Sequence, residues 1–395
     1  MSNHPIHLFN VHSHITYLMA CAVIRYRNIN HSDIVFALNS EYNLPKDSIN
    51  VKKIIIPDSY YLYAFYYGTN YRQKQKNLTE LDNFIDQITE GREFIWYIPN
   101  VSYPIHKVIA SHKKCLRYCF IEEGVFTYPD SAQIKHPLPP YNKRLMSLCN
   151  DNRLLFLDDY FFCTENKKYD CFFVSCESNA ATVRNRIVLK DIFLKQQNTQ
   201  FDNADAVLIF DNITRAIRGG VYSYQKALEY VIDTHFREKN YKKVLYRLRI
   251  RSKFKNVNTL ILEALNKFPD ITFENIDDSV IMENMIYTYD LPYYFLITSL
   301  GCYAGLFGRK SYSFSPIYEA LEPDYRFFLK KYNIMNEGIK RFGVELLPAL
   351  NKDGTSIPVV QDSLLRFIKR EGIKFARKWC PLHFLALLQK LMPKY

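Results

Sequence analysis

Two adjacent carboxylates follow an apolar run in the first third of the chain and could supply a general base. The run Leu116–Ile121 leads directly into Glu122 and Glu123, and Gly124 follows. Because ligands of parallel α/β sheets bind at the carboxyl ends of the strands, these acids would lie where chemistry takes place. Repulsion between neighbouring carboxylates raises the pKa of one of them, as a general base requires. The alternative is a solvated turn in which both acids face water.

A pair of hydroxyl side chains is the second candidate for a functional site. Thr298 and Ser299 stand between a predicted strand and a predicted helix. A helix N-terminus carries partial positive charge and free N–H groups, so it binds phosphate well. The pair therefore predicts a phosphate site, although ordinary helix capping without a ligand explains the same residues.

Alternating arginines at the end of a predicted strand are the third candidate. Arg247 and Arg249 flank Leu248 there, and more basic residues follow. Guanidinium groups bind phosphate oxygens in a bidentate manner, so the two arginines could clamp a phosphate. An exposed edge strand with its charges on one face is the alternative.

The composition limits the classes of protein that need to be considered. A chain of 395 residues is too long for one ordinary core, so we expect two domains. The net charge of +12 implies an anionic partner. The nine cysteines lack CxxC spacing, which disfavours zinc fingers and indicates a reducing compartment. No apolar segment is long enough to span a membrane, so we expect a cytoplasmic protein.

Short apolar runs alternate with amphipathic stretches along most of the chain. Strands are predicted at 6–10, 34–38, 53–57, 94–98, 116–122, 206–210, 244–247, 271–273, 294–297 and 311–314. Such alternation favours parallel, doubly wound sheets, with residues 130–205 as a linker that has some local structure. We therefore predict an α/β chain with domains at 1–170 and 171–345 and a tail at 346–395.

The tail has a character of its own. Residues 364–390 are predicted to form a helix whose first part is basic and whose last part is almost wholly apolar. Such a helix could lie on an anionic membrane surface, which would make the protein peripheral on the inner face of the cytoplasmic membrane. The alternative is a helix that packs back on the protein with solvated lysines.

The order and spacing of these motifs resemble those of bacterial sialyltransferases of glycosyltransferase family 52 and of the related polysialyltransferases. Glu122-Glu123-Gly124 is similar to the acid-acid-glycine motif of the family, and Thr298-Ser299 to its later Ser/Thr-Ser pair. The similarity in layout covers residues 5–320. It implies a GT-B-like fold, in which two Rossmann-like domains face a cleft, with the acceptor on the first domain and the nucleotide sugar on the second.

One motif departs from the family. The family has Lys-x-His-Pro at a strand end of the second domain, where this chain has Arg247-Leu248-Arg249. The family's histidine contacts the nucleotide phosphate and assists the leaving group, whereas an arginine cannot donate a proton at neutral pH. Three explanations of the departure stay open. The donor could differ from CMP-sialic acid, the leaving group could need no protonation, or the activity could be reduced.

The resemblance also implies roles for individual residues. One of Glu122 and Glu123 would deprotonate the acceptor hydroxyl, and Glu123 is the nearer to the turn. The residues implied for donor binding are Arg247, Arg249, Glu283, Thr298 and Ser299. The chain has no Asp-x-Asp triplet, which predicts transfer without a metal, and the resemblance implies an inverting reaction that needs no cofactor. The implied reaction moves sialic acid or a related keto-sugar acid from a CMP donor to a lipooligosaccharide or capsular glycan.

Two other functions fit parts of the sequence. The charge of +12 and the 31 Tyr and 28 Phe residues are compatible with a nucleic-acid-binding protein. No recognition motif supports that function and the basic residues concentrate in the tail, so nucleic acid is not an expected partner. A catalytically weak relative that only scaffolds an assembly pathway is the other alternative, because the family's histidine is missing.

Overall fold

The computed structural model describes residues 4–39, 42–57, 71–101, 103–124, 162–177, 179–180, 183–210, 221–248, 255–321 and 342–349. The contacts between residues divide them into two units. The first contains the described residues within Met1–Asn198, Asp278–Asp290 and Ile334–Phe342. The second contains those within Thr199–Asp277, Leu291–Asn333 and Gly343–Tyr395.

The first unit is built on a seven-stranded parallel sheet. Its strands are β1 (Ile6–Val11), β2 (Ile34–Asn39), β3 (Lys52–Ile56), β4 (Phe94–Ile98), β5 (Cys115–Ile121), β6 (Tyr169–Val174) and β7 (Arg186–Val188). They pair in the order β3-β2-β1-β4-β5-β6-β7, and every neighbouring pair is parallel. The strand order reverses between β1 and β4, which makes the sheet doubly wound and gives it a point where ligands commonly bind.

The second unit repeats this topology with six strands. They are β8 (Ala206–Ile209), β9 (Lys243–Arg247), β10 (Thr272–Asn275), β11 (Tyr293–Phe295), β12 (Ser311–Ser313) and β13 (Glu345–Leu346). Their order is β10-β9-β8-β11-β12-β13, again with parallel pairing throughout. The reversal lies between β8 and β11.

Helices connect the strands in both units. In chain order they are α1 (His14–Arg27), α2 (Tyr71–Ile88), α3 (Pro104–Ser111), α4 (Thr199–Asp202), α5 (Val221–Val231), α6 (Lys255–Leu265), α7 (Met282–Thr288), α8 (Ser299–Leu306) and α9 (Ser315–Leu321). The sequence sets the limits of α1, because Ser13 and Thr16 form a capping box at its start and Asn28 ends it with a φ of 49°.

The central strands β1, β2 and β4 of the first sheet are largely buried because their sequences are mostly apolar, whereas the edge strand β3 is mostly exposed. β4, with the sequence FIWYI, is buried at every position, and Trp96 is 0% exposed. A strand of a parallel sheet is covered on both faces, so it needs no alternation of polar and apolar residues. The rigid sheet that results holds the loops at its carboxyl edge.

The structure confirms the prediction of an α/β chain with two separate parallel sheets. It also corrects details. Residues 130–205, predicted as a linker with some local structure, include β6 and β7, which extend the first sheet past residue 170. Residues 311–314 were predicted to close the second sheet, but β13 pairs outside β12. Short strands such as β7 and β13 carry too few residues for a periodic pattern to reveal them.

The membrane prediction rests on the tail. The predicted helix at 364–390 lies outside the described residues. Within the part of the chain that the structure describes, every helix falls short of the length and hydropathy needed to cross a bilayer.

Candidate functional site

Three polar residues of the first unit follow neighbouring strands at the same edge of the sheet. His12 comes directly after β1, Asn100 shortly after β4, and Glu123 shortly after β5. Since β1, β4 and β5 are adjacent and parallel, their carboxyl ends meet at one edge, next to the reversal of strand order. The sheet thus brings together residues that are distant in the sequence, at the place where doubly wound folds bind ligands.

Glu123 is the centre of this group. Its Oε1 accepts a hydrogen bond from Nε2 of His12 at 3.1 Å, and its Oε2 accepts one from Nδ2 of Asn100. The side chains of His12 and Glu123 are 18% and 22% exposed, so the pair is sheltered but remains accessible to solvent. The chain turns away at Gly124, whose φ of 119° favours glycine.

The pKa of Glu123 is lowered, so Glu123 is not the carboxyl whose pKa the adjacent acids were predicted to raise. Burial alone would raise it, but the hydrogen bond and charge of His12, with the hydrogen bond from Asn100, hold the pKa below its usual value. Glu123 is therefore an ionised proton acceptor at neutral pH.

Glu122 lies in a different environment from its neighbour. Its side chain is 0% exposed, and Oε2 accepts a hydrogen bond from the backbone N–H of Ser175 at 2.6 Å. Its own backbone N–H donates to the carbonyl of Phe173 at 3.0 Å. Glu122 thus joins the ends of β5 and β6, and the alternative of a turn with both acids facing water is wrong. Of the two predicted catalytic acids, only Glu123 is accessible.

His12 is oriented by its contact with Glu123. Because a carboxylate can only accept a hydrogen bond, Nε2 of His12 carries a proton. Nδ1 is buried and has no hydrogen-bond partner among the described residues. The hydrogen bond from Nε2 to Glu123 is therefore the polar contact that orients the ring.

Thr298 caps a helix at the corresponding edge of the second sheet. It follows β11, next to the reversal of strand order, and its Oγ1 accepts the backbone N–H of Leu300 at 3.4 Å. Ser299 is the first residue of α8. The capping alternative from the sequence therefore describes a contact that is present, and phosphate binding by this pair stays a prediction.

Arg247, the last residue of β9, is 7% exposed. Its Nη1 donates to the backbone carbonyl of Ile276 at 3.1 Å and to that of Asp277. Those contacts hold the turn after β10. Arg249 lies outside the described residues, so the predicted phosphate clamp is not tested.

Glu283 does not share a unit with the other residues predicted to bind the donor. It lies on α7 in the first unit and is 6% exposed, whereas Arg247, Thr298 and Ser299 belong to the second unit. Burial and, next, the charge of Glu283 raise the pKa of Tyr42. Glu283 is therefore buried in the first unit, close enough to Tyr42 for its charge to act on the phenol.

One group of possible metal ligands occurs among the described residues, in Cys119, Asp170 and Cys171. Their ligand atoms lie within 4.8 Å of one another. Arg27 already contacts this group, donating to Asp170 at 2.8 Å and to Sγ of Cys171 at 3.2 Å. Burial raises the pKa of the Cys119 thiol well above its usual value, which opposes metal binding. A guanidinium therefore neutralises this cluster.

Three residues around Glu123 were not predicted from the sequence as part of the site: His12, Asn100 and His106 on α3. Nδ1 of His106 donates to the backbone carbonyl of Asn100 at 2.7 Å. A usable signal was present, because His12 and Asn100 both follow predicted strands at the edge where Glu123 was expected. The pairing itself depends on strand order, which the sequence does not specify.

Comparisons with known proteins gave matches among solved structures. No protein-family model matches the chain, and no curated protein matches it in sequence. Three solved structures among those that match are the S. aureus MnaA–UDP complex, E. coli ADP-heptose lipopolysaccharide heptosyltransferase II, and the Neisseria meningitidis UDP-GlcNAc 2-epimerase bound to UDP-GlcNAc.

These matches cover most of each chain, but their sequence identities and TM-scores are low. The S. aureus structure is 9% identical with a TM-score of 0.47, covering 85% of this chain and 90% of its own. The E. coli structure is 10% identical with a TM-score of 0.39, covering 95% and 99%. The N. meningitidis structure is 10% identical with a TM-score of 0.43, covering 94% and 100%. All three TM-scores lie below 0.5, and at these values the matches carry no conclusion about the fold or the activity of the chain.

Proposed function

We propose that this protein is a glycosyltransferase that moves a sugar from a nucleotide-activated donor to an acceptor hydroxyl. One observation carries the proposal: a partly exposed Glu123 carboxylate, held by His12 and Asn100 at the ligand-binding edge of a doubly wound sheet. A hydroxyl needs a proton acceptor within hydrogen-bond reach to become a nucleophile, and Glu123 has the charge and exposure for that role. The sequence resemblance to sialyltransferases also implies that one of Glu122 and Glu123 is the general base.

The proposed reaction has one displacement step. The acceptor O–H bond breaks and its proton passes to the Glu123 carboxylate, while the acceptor oxygen bonds to the anomeric carbon of the donor sugar. The bond between that carbon and the phosphate oxygen breaks, and its electron pair leaves with the nucleotide. His12 stabilises the charge on Glu123 before transfer and orients the carboxylate. Glu122, which is buried against β6, takes no part in the proton transfer.

The donor phosphate is proposed to bind in the second unit. The N-terminus of α8 offers backbone N–H groups beside Thr298 and Ser299, and Arg247 supplies a positive charge at the end of β9. Developing charge on the leaving phosphate would be stabilised by such donors. Arg249 and Glu283 remain proposed donor contacts on the basis of the family resemblance alone.

The finer identity of the substrates follows from that resemblance. We propose a CMP-linked sialic acid or related keto-sugar acid as the donor and a lipooligosaccharide or capsular glycan as the acceptor, with no metal or cofactor. Residues 364–395 are proposed to contact an anionic membrane that carries the acceptor.

A donor screen tests the proposal. The full-length protein is incubated with CMP-, UDP- and GDP-linked sugars and a mixture of glycan acceptors, and nucleotide release is measured with and without a chelator. Acceptor-dependent release that persists with the chelator supports the proposal. Binding of donors without turnover would favour the weak relative, and the absence of both binding and release would refute the proposal.

A further inference from the structure

Two buried polar residues with connected hydrogen bonds lie near Glu123: Asn100, in the turn after β4, and His106, on α3. We propose that Asn100 and His106 are positioning residues that fix the Glu123 carboxylate for an acceptor hydroxyl, an inference that rests on the proposed function. Neither residue is required to touch the substrate. Their contribution is to hold a side chain that does.

Asn100 fixes one of the two carboxylate oxygens. Its side chain is 2% exposed, and Nδ2 donates to Oε2 of Glu123 while His12 donates to Oε1. Each oxygen thus has its own donor, and the two donors come from the ends of different strands, β1 and β4. Together they fix the plane of the carboxylate. Rotation of Glu123 would break a hydrogen bond to a charged group, which is among the stronger kinds in proteins.

His106 fixes Asn100 in turn. It is 2% exposed, and because a carbonyl oxygen only accepts, Nδ1 of His106 carries the proton of its 2.7 Å hydrogen bond to the Asn100 carbonyl. The imidazole meets Trp96 and Tyr103 edge to face, with ring centroids 6.3 Å and 5.5 Å away. Rings held in this way cannot change rotamer without opening the core.

The electrostatics agree with a positioning role. The titratable groups that face Glu123 among the described residues are His12 from the end of β1 and His106 from α3; the adjacent Glu122 is bound to Ser175. Burial lowers the pKa of His106 to about 4, despite its hydrogen bond to Asn100. His106 is therefore neutral at pH 7 and acts there through its hydrogen bond rather than through charge.

The test follows the titration of Glu123 directly. Protein labelled with 13C at glutamate carboxyls is titrated by NMR, and the Glu123 resonance is assigned by its absence in Glu123→Gln. Asn100→Leu removes the donor, so the titration midpoint should rise by about one pH unit. Asn100→Asp places a second carboxylate against Glu123, so its midpoint should rise further.

Two further variants separate positioning from general loss of packing. Val101→Ala changes a neighbouring residue that is 0% exposed, and it should lower thermal stability without moving the Glu123 midpoint. His106→Phe keeps a ring between Trp96 and Tyr103 but removes the hydrogen bond to Asn100, and should give a smaller upward shift. If an Asn100 variant does not fold, His106→Phe still decides the question.

The result that would overturn the inference is a Glu123 midpoint that stays unchanged in Asn100→Leu and His106→Phe, as in Val101→Ala. This readout needs no enzymatic activity, so it is separate from the donor screen. If transfer is observed, the acid limb of kcat/KM should move with the NMR midpoint while KM changes less than kcat. If transfer is never observed, the proposed function fails, and the titration still shows whether Asn100 and His106 control Glu123.

Discussion

The two sheets share one strand order, but the polar side chains at their carboxyl edges have different hydrogen-bond partners. At the first edge, the side chains of His12 and Asn100 bind that of Glu123, while the neighbouring Glu122 carboxylate accepts a backbone N–H. At the second edge, side chains bind the backbone, as Thr298 caps α8 and Ser313 donates to the carbonyl of Leu296 at 2.7 Å. Contacts between side chains tune protonation, whereas contacts to the backbone fix loops. The proposed function assigns proton transfer to the first edge and donor binding to the second, so the two edges can be tested separately.

The largest expected effect comes from separating the two adjacent acids. Glu123→Gln keeps the shape of the side chain but removes the proton acceptor, so transfer should fall about 10²–10⁴-fold. Glu122→Gln is the matched control, and it should lower the melting temperature through its contact with Ser175 while keeping activity per folded molecule. Initial rates of nucleotide release and thermal melts measure both. Equal loss of activity in the two variants would contradict the assignment.

Acidification should weaken the first unit through a buried histidine. His106 has a pKa of about 4 in the folded protein against an ordinary value of 6.5, so the unfolded chain binds the proton first as the pH falls. Its contribution to stability is complete above pH 6.5 and declines towards pH 4, by roughly 3 kcal/mol. Urea unfolding across this range checks it. The loss should be smaller in His106→Phe, and an unchanged loss in that variant would argue against His106 as its source.

A methyl group at Gly301 should strain the second unit alone. A Cβ there would lie 2.2 Å from the ring of Phe295, much closer than any packed contact allows. Gly301→Ala should therefore destabilise that unit by about 1–3 kcal/mol. Amide hydrogen exchange should speed up around α8 and β11 and stay unchanged in β1 and β4. Pairing it with Phe295→Leu, which makes room for the methyl group, should restore part of the protection.

The smallest expected effect tests the cap of α8. Thr298→Ala removes the acceptor for the Leu300 N–H and should cost about 1 kcal/mol of stability. Thr298→Ser is the matched control because it retains the hydroxyl. If the second edge binds the donor phosphate, Thr298→Ala should also weaken donor binding in calorimetry. Loss of stability with unchanged donor affinity would limit Thr298 to capping.

Much of the fold was readable from the sequence because apolar runs and helix signals are local. β4 was predicted at its observed bounds, 94–98, since FIWYI is a continuous apolar run. α1 begins and ends at capping residues that the sequence shows directly. Short strands were harder, and β7 and β13 were missed because three or two residues do not make a pattern.

The sequence by itself determined that Glu122 and Glu123 follow a strand and that one of them could be a base. Only the tertiary structure decided between them, because the burial of Glu122 against β6 and the exposure of Glu123 depend on which strands are neighbours. The same is true of the partners of Glu123. Residues 12, 100 and 123 are far apart in the chain, and parallel pairing of β1, β4 and β5 brings them within hydrogen-bond distance.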